Sequence, residues 1–380
     1  MTTQASAPPS TKSQALRSYD VADFPALTGL EEDWRFTPLK RLRGLTDEAP
    51  AATGTVRHEY GDLPEGVAIT RVGRDDERIG SVLTPVDRVS ALAYGAAADA
   101  LLLRVAPDVV LGEAVRLRVI GEGVEQPAFG HTFVEVGRFA EATLVLEHVG
   151  SATLADNVEV SVADGAKLTL VTVADWADDA VQAQHLKIKL GRDARVIHIQ
   201  VTLGGDLVRQ FTSVEYTGRG GEAELYGVYF ADAGQHLEHR QLVDHNVPDC
   251  RSYVGYRGAL QGESSHTVWV GDVLIQAEAT GTDTYEINRN LLLTDGARAD
   301  SVPNLEIETG EIAGAGHASA TGRFDDEQLF YLMARGIPES EARRLVVRGF
   351  FAELINKIPV ESLREHLGDA IEARLTKAGA

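Results

Sequence analysis

Residues 165–230 read GAKLTLVTVADWADDAVQAQHLKIKLGRDARVIHIQVTLGGDLVRQFTSVEYTGRGGEAELYGVYF. Apolar and polar residues alternate along it in short runs (LTLVTV, HLKIKL, RVIHIQV, LVRQFTSV) separated by turn residues such as Gly and Asp. A period of two belongs to strands, whose successive side chains point to opposite faces. No helical pattern of about 10–15 residues intervenes after Val181, which argues against strand–helix–strand units. A turn signature also recurs. Gly165-Ala166, Asp193-Ala194 and Glu222-Ala223 each introduce a strand-like run, and their alanines are 28 and 29 residues apart. Gly296-Ala297 leads into a further run around Leu305. A unit of that length cannot bury its own apolar face and must stack on its neighbours. The expectation is a mainly β protein built as a β-helix, with an antiparallel β-sandwich as the alternative.

Outward from this stretch, HTFVEVG, ATLVLEHV and NVEVSV carry the same texture back to His131. Residues 1–19 are rich in Ser, Thr, Ala and Pro and read as a disordered tail. Residues 20–125 read as an N-terminal mixed, partly helical domain. Within it, FPALTGLEEDWRFTPL (Phe24 to Leu39) reads as a small helix and loop burying Trp34 in that domain, and residues 40–80 read as loops. Residues 87–125 mix helical and strand patterns without a resolvable order. The β core is expected over 126–322 and a helical domain over 323–380.

In that last segment Asp325, Asp326 and Glu327 suit a helix start, and Leu329, Phe330, Leu332 and Met333 give an apolar face ending at Gly336. Pro338 opens a second helix carrying Leu345, Phe350 and Leu354, which stops before Pro359. A third places Leu363, Leu367, Ile371 and Leu375 four residues apart. Such stripes can pack on the β body or on another protein.

The chain has 380 residues and a formal net charge of −21, which disfavours nucleic acid and anionic membranes as partners. Its only cysteine, Cys250, rules out an intrachain disulfide and suits a reducing compartment. No signal peptide is visible, and no segment approaches the ~20 apolar residues of a membrane span. A soluble cytoplasmic protein is expected. G-x-x-x-x-G-K-[ST], a strand-to-helix G-x-G-x-x-G and G-x-S-x-G are all absent, so neither ATP use by this chain nor a serine-elbow hydrolase is expected.

Two histidine groups are candidates for chemistry. His236, His239 and His245, near Asp244 and Cys250, have the residue types of a metal site, but a spacing of three puts His236 and His239 on opposite faces of a strand. His317 lies in a run of tiny residues, AGAGHASA (313–320), where another backbone can approach closely. It reads either as a capping residue at a strand-to-helix turn or as a ligand or interface contact.

At these residues the chain resembles a known family. NRNLLLTDGARADSVPNLEIETGEI (288–312), GHASATGRFDDEQLFYLMARGI (316–337) and, upstream, HNVPDCRSYVGYRGALQGESSHTVWVGDV (245–273) resemble the C-terminal signature of the SufB/SufD family, the scaffold subunits of SUF iron–sulfur cluster assembly. EEDWRFTPL (31–39) is similar to the SufD-type start. SufB-like chains carry a cysteine shortly before the signature histidine, where Ala315 stands here, so no role of that thiol transfers.

The resemblance implies a right-handed parallel β-helix with helical ends and a non-catalytic scaffold role in an ATP-driven complex. It implies pairing with a SufB-like paralogue through the β-helix ends, and a SufC-like ABC ATPase docked on the C-terminal helices. A nascent Fe–S cluster would form at the subunit interface with His317 as a shared ligand. Leu329, Phe330, Leu345, Phe350, Phe351 and Leu354 are then the candidates for partner binding, and deleting residues 325–380 is expected to abolish ATPase docking while the β core survives. A reduced flavin is associated with some such complexes, and a homodimer is an alternative pairing. The residues agree on one point. An Fe–S cluster takes about four protein ligands, mostly thiolates, which one cysteine cannot supply. Rival readings are an interaction scaffold without a metal role and a carbohydrate-active β-helix enzyme.

Overall fold

A computed structural model describes residues 12, 15–47, 53–323 and 326–377. Most of the expected disordered tail, residues 1–11, 13 and 14, lies outside these residues, as does Asp325. The N-terminal part holds β1 (Val56–Tyr60), β2 (Val67–Val72), α1 (Arg88–Ala96) and β3 (Ala100–Val105). Two strands thus occupy the segment expected to be loops. Their alternation is short and interrupted by charged residues, which hides it in the sequence. Asp87 caps α1 in a reciprocal capping box with Ser90.

Two long strands follow, β4 (Val115–Val136) and β5 (Glu141–Val162). Then come β6 (Lys167–Trp176), β7 (Val181–Leu190), β8 (Arg195–Thr202), β9 (Leu207–Tyr216), β10 (Glu222–Ala231) and β11 (His236–His245). The series ends with β12 (Arg251–Leu260), β13 (His266–Ile275), β14 (Asp283–Leu292), β15 (Arg298–Ile307) and β16 (Gly314–Arg323). β5 pairs in parallel with β6 along its first half and with β7 along its second, so it runs over both faces of the body. Beyond it the even strands β6 to β16 form one face and the odd strands β7 to β15 the other. This is a parallel β-helix of about eight turns. The sandwich alternative fails, because these strands pair in parallel.

Coils stack in strict register, Lys167 on Arg195, Arg195 on Glu222, Glu222 on Arg251, Arg251 on Asp283 and Asp283 on Gly314. The repeat read from the alanines is therefore the coil, with one offset. Ala223 pairs with Val196 and sits inside its strand, whereas Ala166 and Ala194 precede theirs. In the interior, Tyr229 and Tyr256 need glycines opposite them. A Cβ on Gly258 would lie 1.8 Å from the Tyr229 ring, and one on Gly227 would lie 1.9 Å from that of Tyr256.

The terminal parts cover the outer faces. Trp34 packs with Leu42, Leu45 and Val89 against Val181, Ala183 and Leu207 of the odd face, rather than within a subdomain of its own. Opposite, α2 (Asp326–Ala334) leads to α3 (Glu339–Ile355) and α4 (Glu361–Lys377). Val347, Phe351, Leu354, Leu363, Leu367 and Ile371 of the last two helices pack on Val171, Ile199, Val201, Val228 and Phe230 of the even face. Helices α3 and α4 pack on the β body, so deleting 325–380 would bare that apolar row and is expected to destabilise the β body. No helix among the described residues is long and apolar enough to cross a membrane.

Phe351 is fully buried, whereas Phe330 on α2 is 71% exposed. Phe351→Ala is expected to destabilise the protein by about 3–5 kcal/mol, and Phe330→Ala by less than about 0.5 kcal/mol. Denaturant unfolding of the two variants checks this contrast.

Candidate functional site

β15 and β16 end the strand order on the two faces, each paired on one side only. The last coil therefore presents two open edges, a ready template for another chain's strands. β16 has the sequence GAGHASATGR and is exposed over most of its length. His317 lies in the middle of this strand, not at a strand-to-helix turn, so the capping reading fails. Pairing puts His317 directly over Glu286, and Ala315 over Thr284. In-register parallel strands carry stacked side chains on the same face, and here that face is the one turned into the helix interior.

The two groups differ sharply in environment. The His317 side chain is 43% exposed and that of Glu286 is 1% exposed, with Nδ1 and Oε1 3.9 Å apart. Among the described residues no side chain donates a hydrogen bond to Glu286, and the Asn304 backbone amide faces its carboxyl. Burial, aided by the nearby Asp272 charge, pushes the Glu286 carboxyl up to about 8. Gly271 opposite leaves the room: a Cβ there would fall 2.3 Å from Glu286 Oε2. The end face thus offers one accessible imidazole backed by one buried carboxyl. Among the described residues no group of three or more His, Cys, Asp or Glu could hold a metal ion.

The other candidates are placed elsewhere. His236 faces outward, 3.2 Å from Glu238 and 3.1 Å from His266. His239 faces inward, 2.9 Å from the Thr202 hydroxyl and stacked on Tyr229. His245 meets Ser252 at 2.9 Å and stacks on Tyr216. Cys250 is buried, its Sγ 3.6 Å from the carbonyls of Gly218 and Pro248, and burial pushes its thiol up. Of the six helix residues expected at a partner surface, Leu329, Phe351 and Leu354 are buried and Phe350 is half-buried. Only Phe330 and Leu345 are exposed. The stripes on α3 face the β body, which sequence could not distinguish from a partner.

Residues 119–350 match the family model described as SUF system FeS cluster assembly, SufBD core domain. The chain belongs to the SufBD family of iron–sulfur cluster assembly proteins. It is 55% identical to an iron–sulfur cluster assembly SufBD family protein of Mycobacterium tuberculosis, over 96% of this chain and 93% of that one. It is 27% identical to the assembly protein SufD of Bacillus subtilis over 84% of this chain and 72% of that protein. A second SufBD family protein, from Mycobacterium bovis, is 26% identical over 58% of this chain and 26% of its own length. The chain is SufD-like, and the matched SufBD core runs from β4 into α3, with Glu286 and His317 inside it.

Sequence reasoning passed over Glu286. Its only signal is the coil register, which brings together residues from adjacent turns once the coil length is known. The polar interior of this SufBD core was missed as well. His198 meets the Thr172 hydroxyl at 2.9 Å, Tyr256 donates to Gln200, and Tyr229 donates to Asn290. Burial lowers His198, His239 and His245 to about 3 from an ordinary 6.5, so all three are neutral when folded. Between those values the unfolded chain binds more protons than the folded one. Stability is therefore expected to fall as pH drops below about 6.5, by up to ~1.4 kcal/mol per pH unit for each histidine. Denaturant unfolding between about pH 7.5 and about pH 5 measures the slope, which His198→Gln should reduce.

Proposed function

We propose that this chain is a non-catalytic scaffold subunit that pairs end-on with a SufB-like paralogue and contributes His317 to a nascent Fe–S cluster at the junction. The observation that carries the reading is the uncovered last coil. It has two open strand edges, almost no side-chain bulk along most of β16, and an accessible imidazole in the middle of that strand. A homologous coil end fits such a template by the same ladder geometry. The cluster is the cargo of this assembly rather than a resident cofactor. Cys250 is buried against Gly218 and Pro248 just before β12, with β14 between that strand and β16, so in this reading the thiolates come from the other subunit. The second mycobacterial SufBD protein fits the existence of a paralogue for this role.

ATP-driven change comes, in this reading, from a SufC-like ATPase. Its docking surface narrows to α2 and the exposed part of α3, where Phe330, Tyr331, Met333 and Leu345 lie open. The buried stripe of α3 and α4 then transmits strain from that surface to the even face of the β-helix. A flavin has no site assigned here, and a homodimer through the same end coil is the alternative pairing. The cytosol is the compartment that suits the single buried thiol.

His317→Ala in the co-expressed complex is expected to lower iron and sulfide content several-fold while subunit stoichiometry on gel filtration stays the same. Unchanged iron and sulfide would favour an interaction scaffold without a metal role. A stoichiometry that collapses would assign His317 to docking instead.

A further inference from the structure

Three glutamates are buried among the described residues, Glu159, Glu238 and Glu286. Two of them are pins. Glu159 accepts from the amides of Gly80, Val82 and Leu83 at 2.6, 2.7 and 2.8 Å and meets His131 at 2.7 Å, which fastens the N-terminal segment to the odd face. Glu238 accepts from the Thr37 hydroxyl at 2.7 Å and pairs with Arg209 at 3.3 Å and Arg240 at 3.6 Å. A buried carboxyl is costly to leave unpaired, and these two show how the fold satisfies one that is structural. Glu286 is built differently. Among the described residues no side chain hydrogen-bonds to either of its oxygens, only the Asn304 backbone amide faces its carboxyl, and no cation pairs with it other than the neighbouring imidazole.

Its position is also specific. It lies one coil beneath His317, in register, with Oε1 3.9 Å from Nδ1. First-row metal ions bind imidazole nitrogen and carboxylate oxygen at about 2.0–2.2 Å, so one ion can bridge two donors at this separation with an obtuse angle, and a small side-chain rotation closes it toward tetrahedral. Gly271 keeps the inner side of the carboxyl free of a Cβ. Asp272, itself buried, sets a negative field around the site, in which a cation is favoured.

We infer that Glu286 is a second metal ligand of this chain, forming with His317 a two-point imidazole–carboxylate half-site for ferrous iron at the open end of the β-helix. This rests on the reading of His317 as a cluster ligand and deepens it. The end face then contributes nitrogen and oxygen donors from adjacent coils, and the remaining positions belong to the partner. Metal binding releases the Glu286 proton to solvent, and the resulting hard carboxylate beside an imidazole favours Fe(II) entering as an ion over a preformed, thiolate-held cluster. Iron therefore lodges on this chain's side before sulfide completes the cluster.

The test uses the full chain without partner and Co(II) as an air-stable probe, followed by visible absorption and calorimetry. The wild-type protein is expected to bind one Co(II) per chain at about 1 mM or below. Glu286→Gln and His317→Ala are each expected to weaken binding at least tenfold, and the double variant no further than the weaker single one. The amide is near-isosteric and uncharged, so the thermal midpoint of Glu286→Gln should be equal to or above wild type, which separates ligand loss from misfolding. Glu286→Gln binding Co(II) as wild type does, or a wild-type chain that binds none, overturns the inference. The underlying reading fails separately: it falls if His317→Ala leaves cluster content in the complex unchanged, whatever Glu286→Gln does to Co(II).

Discussion

In-register parallel stacking governs this molecule. Each coil lays its side chains on those of the coil before it, so a side chain facing the interior is closed off from the end only when a further coil covers it. Glu286 is buried because β16 lies over β14, and His317 is open because no strand among the described residues lies over β16. The same rule sets the interior. Rows of Leu and Val support one part of it, and a polar row from His198 through Tyr229 and Tyr256 to Asn288 and Asn290 fills another. These polar groups stay neutral, because a charge in that interior would have to be paired or hydrogen-bonded.

The terminal segments solve a different problem. Both outer faces of the β-helix carry apolar rows, and each is closed by one end of the chain. Trp34 and α1 close the odd face, with the Arg209 guanidinium 3.8 Å over the Trp34 ring and Glu159 and Glu238 as ionic pins. The helices α3 and α4 close the even face. The last coil is left as the uncovered surface with open strand edges, and it holds the accessible histidine. Shape and chemistry thus converge on one end of the molecule, the end to which the proposed scaffold role assigns the partner contact.

Much of the fold was legible because strand periodicity and turn residues are local signals. The runs after Val181 alternate cleanly, and the coil spacing is written into Gly165-Ala166 and Asp193-Ala194. Non-local features were not legible. Which face α3 presents to the β body depends on the length of the link from β16, so Phe351 and Leu354 looked available to a partner when they are core. Likewise His317 stood out by the smallness of its neighbours, whereas Glu286, 31 positions earlier, looked like any polar strand residue until register placed it under that histidine. His236 and His239 could be separated from the sequence alone, since alternation along a strand assigns them to opposite faces. The Cys250 thiol could be counted but not located. A count of one is what the proposed sharing of cluster ligands with a companion chain starts from, because the ligand demand of a cluster is set by iron chemistry and not by the fold.

The account rests on that shared ligand set, and anaerobic reconstitution of the isolated chain with iron and sulfide tests it most directly. Iron and sulfide retained after desalting, together with the visible absorption of the product, are the quantities to measure. A chain that cannot complete a cluster should retain no sulfide-bearing chromophore, at most a weakly held iron ion. A full, tightly bound cluster on the chain alone would contradict the account.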